Sequence, residues 1–139
     1  MIKVLVADDH AIVRKGITLI IAETTDIVVT DEAKNGQEAL DKTMESDFDL
    51  VLLDISMPGR DGLEILKELK IKQPKLTVLM LSMYPEEQYA VRALRSGAAG
   101  YLTKDSAPDE LITAIRTVTT GGKYVSGSFA ARLTDKPDR

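Results

Sequence analysis

Two hydrophobic periods take turns along this chain. Short apolar runs at Ile2–Ala7, Ile27–Thr30, Leu50–Leu53, Val78–Leu81 and Ala99–Leu102 predict strands. Leu50–Leu53 and Val78–Leu81 are apolar at every position. Strands of that kind fit the middle of a parallel sheet covered by helices on both sides. Between the runs lie longer amphipathic stretches that predict helices. In Ala11–Ala22, Ile12, Gly16, Leu19 and Ile20 fall on helical spacing. In Gln37–Glu45, Ala39, Leu40 and Met44 are expected to point inward. Leu63, Ile65, Leu66 and Leu69 make the apolar side of Leu63–Ile71. Glu86–Ser96 and Asp109–Thr120 complete the set.

Turn residues mark the boundaries. Asn35-Gly36 is a turn signal, and Met57 to Gly62 reads as a loop. Gly97 stops the fourth helix, Pro108 opens the fifth, and Gly121-Gly122 ends it. Strict alternation of strand and helix predicts an α/β domain: a doubly wound, five-stranded parallel sheet with helices on both faces. Residues after Thr120 fall outside this pattern. Lys123–Leu133 is expected to open another short helix, and Thr134–Arg139 reads as linker.

Composition narrows the picture. A chain of 139 residues suits one domain. Only 4% of it is aromatic and there is no Trp, so the core must come from Val, Ile, Leu, Ala and Met. Eighteen basic against 22 acidic residues leave a charge of −4, which argues against DNA binding by this chain on its own. No Cys is present, which excludes disulfides and thiol chemistry. No apolar stretch approaches the ~20 residues that cross a bilayer, and the N-terminus lacks a signal-peptide pattern. The expectation is a cytoplasmic domain without membrane contact.

The candidate chemistry stands at the strand ends. The first strand ends in Asp8-Asp9, the third in Asp54, the fourth in Ser82, the fifth at Lys104. In a parallel sheet these ends share one edge, where such folds place their ligands. Singly, each has a plainer reading. Asp8, Asp9 or His10 can cap a helix, Ser82 can be a turn residue, and Lys104 can be a surface charge. His10, with no second His or Cys nearby, reads as local structure and not as a metal ligand. Jointly, four strand ends of five carry complementary groups. Three carboxylates repel one another, and a hard cation relieves that. A cation, an ammonium and a hydroxyl describe a pocket for a transferring phosphoryl group. Asp54, in mid-sheet between the acid pair and Lys104, is the best candidate nucleophile.

These residues resemble the receiver domains of bacterial response regulators, with their CheY-like fold. The marks are Val6-Ala7-Asp8-Asp9-His10, Leu53-Asp54-Ile55-Ser56-Met57-Pro58 with Gly62, Leu81-Ser82, and Gly97 to Lys104. The resemblance runs from Ile2 to about Tyr124 and implies a strand order of 2-1-3-4-5. It implies that Asp54 is the phosphoacceptor and that Lys104 pairs with phosphoryl oxygens. Asp8, Asp9, Asp54 and the backbone carbonyl of Ser56 would hold Mg²⁺ (or Mn²⁺). Ser82 and Tyr101 would be the switch pair, and Tyr84 lies where this family tunes dephosphorylation. A sensor histidine kinase would be the phosphodonor.

Asp-Asp-His followed by Val13-Arg14-Lys15-Gly16, and Asp105 directly after Lys104, look like the NarL/FixJ (LuxR-type) group. That group implies a homodimer on activation and DNA binding only through a C-terminal helix-turn-helix domain. Residues 1–122 would be the receiver, and 123–139 a linker toward that effector. The output would be control of transcription, and the chain would be no true enzyme. A stand-alone receiver working through protein contacts is the alternative. A haloacid dehalogenase-type phosphohydrolase is less favoured, because its phosphatases need a second acid where Ser56 stands. A pseudo-receiver would have lost an acid or the Lys. A flavodoxin-like binder would not carry two acids in its first loop.

Overall fold

The structure, a computed structural model, describes residues 1–57, 59–127 and 129–131. Its elements are β1 (Ile2–Ala7), α1 (Ala11–Ala22), β2 (Ile27–Ala33), α2 (Gly36–Glu45), β3 (Leu50–Asp54), α3 (Gly62–Lys72), β4 (Thr77–Ser82), α4 (Glu86–Arg95), β5 (Gly100–Thr103) and α5 (Ala107–Thr119). The strands form one parallel sheet in the order β2-β1-β3-β4-β5, as the alternating pattern and the family resemblance led one to expect.

Strand periodicity builds a core on each face. In β3, Val51 and Leu53 face α2, α3 and α4, whereas Leu50 and Leu52 face α1 and α5. All five β3 residues are buried, which is why that strand has no polar face. Helix starts are set locally. The Asn35 side chain accepts from Glu38 N at 2.8 Å while Glu38 Oε1 accepts from Lys34 N, so α2 begins at Gly36 with reciprocal capping. Asp61 caps α3 by accepting from Leu63 N at 2.7 Å.

Three expected details differ. In α1 the buried side chains are Arg14, Ile17 and Ile21, whereas Ile12 and Leu19 are 83% and 65% exposed. The helix carries two apolar stripes, and the stripe that meets β1 and α5 is the one through Ile17. Met44 is 64% exposed, and Thr43 takes the inward place by donating its hydroxyl to the Leu40 carbonyl. The second strand runs on past Thr30 to Ala33. Its acids tolerate the edge of the sheet because Lys42 pairs with Asp31 and Arg14 with Glu32.

After α5 the chain turns at Gly121, whose φ is +95°. It then returns along β5: Tyr124 N donates to Ala99 O, Tyr101 N donates to Tyr124 O, and Tyr124 bridges Gly100 in parallel. A helical turn opens at Gly127, and Phe129 is buried against the core under α4. Arg132 and Leu133, where the expected short helix would end, lie outside the described residues.

Candidate functional site

The parallel sheet carries Asp8, Asp54, Ser82 and Lys104 to one edge, and the loops there are held from behind. Asp8 leaves β1 with its amide donating to Ala33 O at 3.0 Å. Its carbonyl accepts from Arg14 Nη1 at 2.7 Å, and Arg14 is in turn fixed by Glu32 at 2.8 Å. Gly62 holds the loop after β3 by donating its amide to Ile55 O at 2.8 Å. A Cβ at Gly62 would overlap the Asp54 carbonyl and stand 2.6 Å from Ile55 Cα, so the close approach of α3 requires glycine there.

Asp8 and Asp54 are almost fully buried. Lys104 Nζ lies 2.8 Å from Asp8 Oδ2 and 3.3 Å from Asp54 Oδ2, joining the two carboxylates. The Asp8 contact is an ion pair rather than an aligned hydrogen bond. Lys104 is aimed by its own amide, which donates to Ser82 O at 2.7 Å. Ser56 N donates to Asp54 Oδ1 at 3.2 Å. Burial, then the neighbouring charge of Asp8, pushes the Asp54 carboxyl up to about 6, against the pull of Lys104 and the Ser56 amide. Burial draws the Lys104 ammonium down, but Asp8 and Asp54 outweigh it and leave it above its ordinary value.

Asp8, Asp9, His10 and Asp54 each bring a ligand-type atom within 4.8 Å of the others. Asp8 Oδ2 and Asp9 Oδ1 are buried oxygens that accept no hydrogen bond among the described residues. Carboxylate oxygens that accept no hydrogen bond, beside a buried third carboxylate, fit a hard divalent cation. The all-oxygen set of the three acids could therefore hold a metal. His10 is the N-cap of α1 without a side-chain cap bond. Its Nδ1 lies 3.1 Å from Asp8 Oδ1 and from Asp9 Oδ1.

Ser82 reaches the site through its backbone, while its Oγ accepts from Tyr84 N at 3.0 Å. Tyr101 is fully buried and donates its hydroxyl to Tyr84 O at 2.9 Å. Tyr84 OH lies 3.3 Å from Ser56 Oγ, beside the Asp54 loop. The structure thus brings Asp8, Asp9, Asp54 and Lys104 together directly. Ser82 and Tyr101 meet on the loop that follows β4. Arg14 behind Asp8 was not among the expected site residues. Its one sequence signal is a lone cation on the inward stripe of α1, six residues after Asp8.

Three acids, two of them buried, meet a lysine bridge at one edge of a parallel sheet whose 2-1-3-4-5 order is that of a CheY-like fold. Residues 4–116 match the response regulator receiver domain, and the chain belongs to that family. It is 40% identical over 136 residues to the response regulator GacA of Pseudomonas syringae pv. syringae (strain B728a), covering 98% of this chain and 64% of that protein. It is 37% identical over 133 residues to the response regulator UvrY of Escherichia coli (strain K12), covering 96% of this chain and 61% of that one. The chain therefore spans a little under two thirds of these curated relatives.

Among solved structures, a LuxR-family two-component response regulator from Aurantimonas sp. SI85-9A1 superposes with a TM-score of 0.89 at 30% identity, covering 96% of this chain and 95% of that one. The isolated receiver domain of RcsB from Salmonella enterica serovar Typhimurium, with the phosphomimetic BeF3-, gives 0.82 at 26% identity, covering 94% and 96%. The LuxR-type marks in the sequence agree with these neighbours. Among the described residues, no helix is long and apolar enough to cross a membrane.

Proposed function

We propose that Asp54 accepts a phosphoryl group and that the domain works as a stoichiometric switch. The observation that carries this reading is the buried Asp54 carboxylate at a strand end, 3.3 Å from the Lys104 ammonium. A sensor histidine kinase is the proposed donor. A carboxylate oxygen of Asp54 attacks the phosphorus of a phosphohistidine. The new P–O bond forms as the P–N bond breaks, and the imidazole leaves with the electron pair. Lys104 faces the phosphoryl oxygens and offsets their charge. Asp8, Asp9, Asp54 and the Ser56 carbonyl would hold Mg²⁺ or Mn²⁺, which when bound supplies further positive charge against the same oxygens.

The Ser82 hydroxyl then turns toward the phosphoryl group and releases the Tyr84 amide. Tyr101, hydrogen-bonded to the same loop, moves with it. The acyl phosphate is hydrolysed slowly, without steady turnover of a substrate. In the longer protein, acting in the cytoplasm, the switched face favours a homodimer and governs transcription through a separate DNA-binding domain. Residues 1–122 make the receiver, and 123–139 lead toward that domain.

The test is incubation with acetyl phosphate and Mg²⁺, followed by intact-mass measurement. One added phosphoryl group is expected on the wild-type chain and none on Asp54→Asn. Equal labelling of that variant would reject Asp54 as the acceptor.

A further inference from the structure

Helix α4 is lightly held by its own residues. It buries only Ala90 and Ala93, while α3 buries Gly62, Leu63, Ile65, Leu66 and Leu69. Its N-cap, Pro85, offers no side-chain cap. The missing anchorage comes from the chain beyond α5. In the first turn of α4, the Glu86 carboxylate accepts from Ser126 N at 2.7 Å and from Ser126 Oγ at 2.5 Å. Ser126 in turn fixes the helical turn that follows: its Oγ accepts from Phe129 N at 3.2 Å and its carbonyl from Ala130 N at 2.9 Å. Phe129 is 5% exposed in the core cluster that holds Ala90 and Ala93, and Val125 and Tyr89 pack against that cluster. The Tyr124 backbone, bonded along β5, is the anchored end.

The same loop that reports on the site carries this contact. Ser82 Oγ holds the Tyr84 amide, Tyr101 holds the Tyr84 carbonyl, and Glu86 follows two residues later. We propose that Ser126 and Phe129, with Val125 and Ala130 beside them, form a latch on α4 that is closed while Asp54 is a free carboxylate and opens when Asp54 is phosphorylated. The inference rests on the phosphoacceptor reading above. Withdrawal of the Ser82 hydroxyl frees the Tyr84 amide, the loop shifts, and Glu86 is carried away from Ser126. Two charge-assisted hydrogen bonds are lost together, so Phe129 is no longer clamped under α4. The local charge event becomes a release of the chain that continues from the domain.

Amide hydrogen exchange on the 139-residue chain tests this, with beryllofluoride and Mg²⁺ as the phosphoryl analogue. With the analogue, the Ser126, Phe129 and Ala130 amides are expected to exchange about tenfold faster, the equivalent of one charged hydrogen bond. The Ser56 and Lys104 amides should change in the same sample and report that the site is loaded. A response at Ser56 and Lys104 with none at Ser126, Phe129 and Ala130 overturns the latch alone. No response anywhere removes the phosphoacceptor reading and the latch with it. Glu86→Gln and Ser126→Ala supply a reciprocal readout. Each should bind beryllofluoride about five- to tenfold more tightly, because less of the closed state must be undone. Unchanged affinity in both variants overturns the proposal.

Discussion

Replacing Asp54 with Asn should stabilise the metal-free domain at neutral pH, by an amount that can be worked from the site. The Asp54 carboxyl has an ordinary value of 3.8 and stands at about 6 in the fold. The folded chain therefore keeps a proton that the unfolded chain has already lost between those two values. The contribution of this one group to stability is greatest below about pH 4, falls as pH rises through about 6, and is flat above. The difference is about 2 pK units, so ionised Asp54 costs the fold at most about 3 kcal/mol. That figure is already net of the attraction to Lys104, which keeps Asp8 at 2.8 Å when Asn removes the charge, and solvent screening at the sheet edge discounts it further. A net gain of about 1–2 kcal/mol remains, or a urea midpoint raised by roughly 0.5–1 M. The assay is urea unfolding with chelator at pH 7.5 and again at pH 4.5. The advantage of the variant should be clear at the higher pH and mostly gone at the lower. A variant that is less stable at pH 7.5, or an advantage independent of pH, would refute the account of Asp54 as a strained buried charge.

Further outcomes follow from the same geometry. Gly62→Ala drives a Cβ into the Asp54 carbonyl and to 2.6 Å from Ile55 Cα, so chemical denaturation should show a loss of at least about 1–3 kcal/mol. Mg²⁺ at about tenfold over its dissociation constant should stabilise the wild-type domain by about 1.4 kcal/mol, read as a shift in urea midpoint against chelator. Asp9→Asn should abolish most of that shift, since Asp9 supplies one of the two buried carboxylate oxygens that accept no hydrogen bond among the described residues. Arg14→Met keeps the buried stem but leaves the Asp8 carbonyl without its donor, and should cost about 1–3 kcal/mol in the same measurement.

Much of this was legible because it is local or periodic. Leu50–Leu53, apolar at every position, marked a central strand, and Asn35-Gly36 marked the turn that opens α2. The convergence of Asp8, Asp9, Asp54 and Lys104 follows from parallel strands ending at one edge, so the order of elements was enough to foresee it. What escaped depends on which of two equal patterns meets the sheet, or on partners far away in sequence. Ile12 and Leu19 satisfy helical spacing as well as Ile17 and Ile21 do, and only packing decides between them. Ser126 and Glu86 are 40 residues apart, and no periodicity connects them. Phe129 likewise falls in the stretch expected to open a short helix, and nothing in its sequence neighbourhood places it in the core beneath α4.

The return of Tyr124 along β5 has a consequence for solubility. β5 ends the sheet, and its Tyr101 amide and the Ala99 carbonyl just ahead of it are paired only because Tyr124 lies beside them. A chain cut back ahead of Lys123 would bare that rim. Unpaired backbone groups on a terminal strand recruit whatever strand is near, which in a concentrated sample is another copy of the same protein. Such a fragment should clump before it melts, and its misbehaviour would report a lost hem rather than a weakened core.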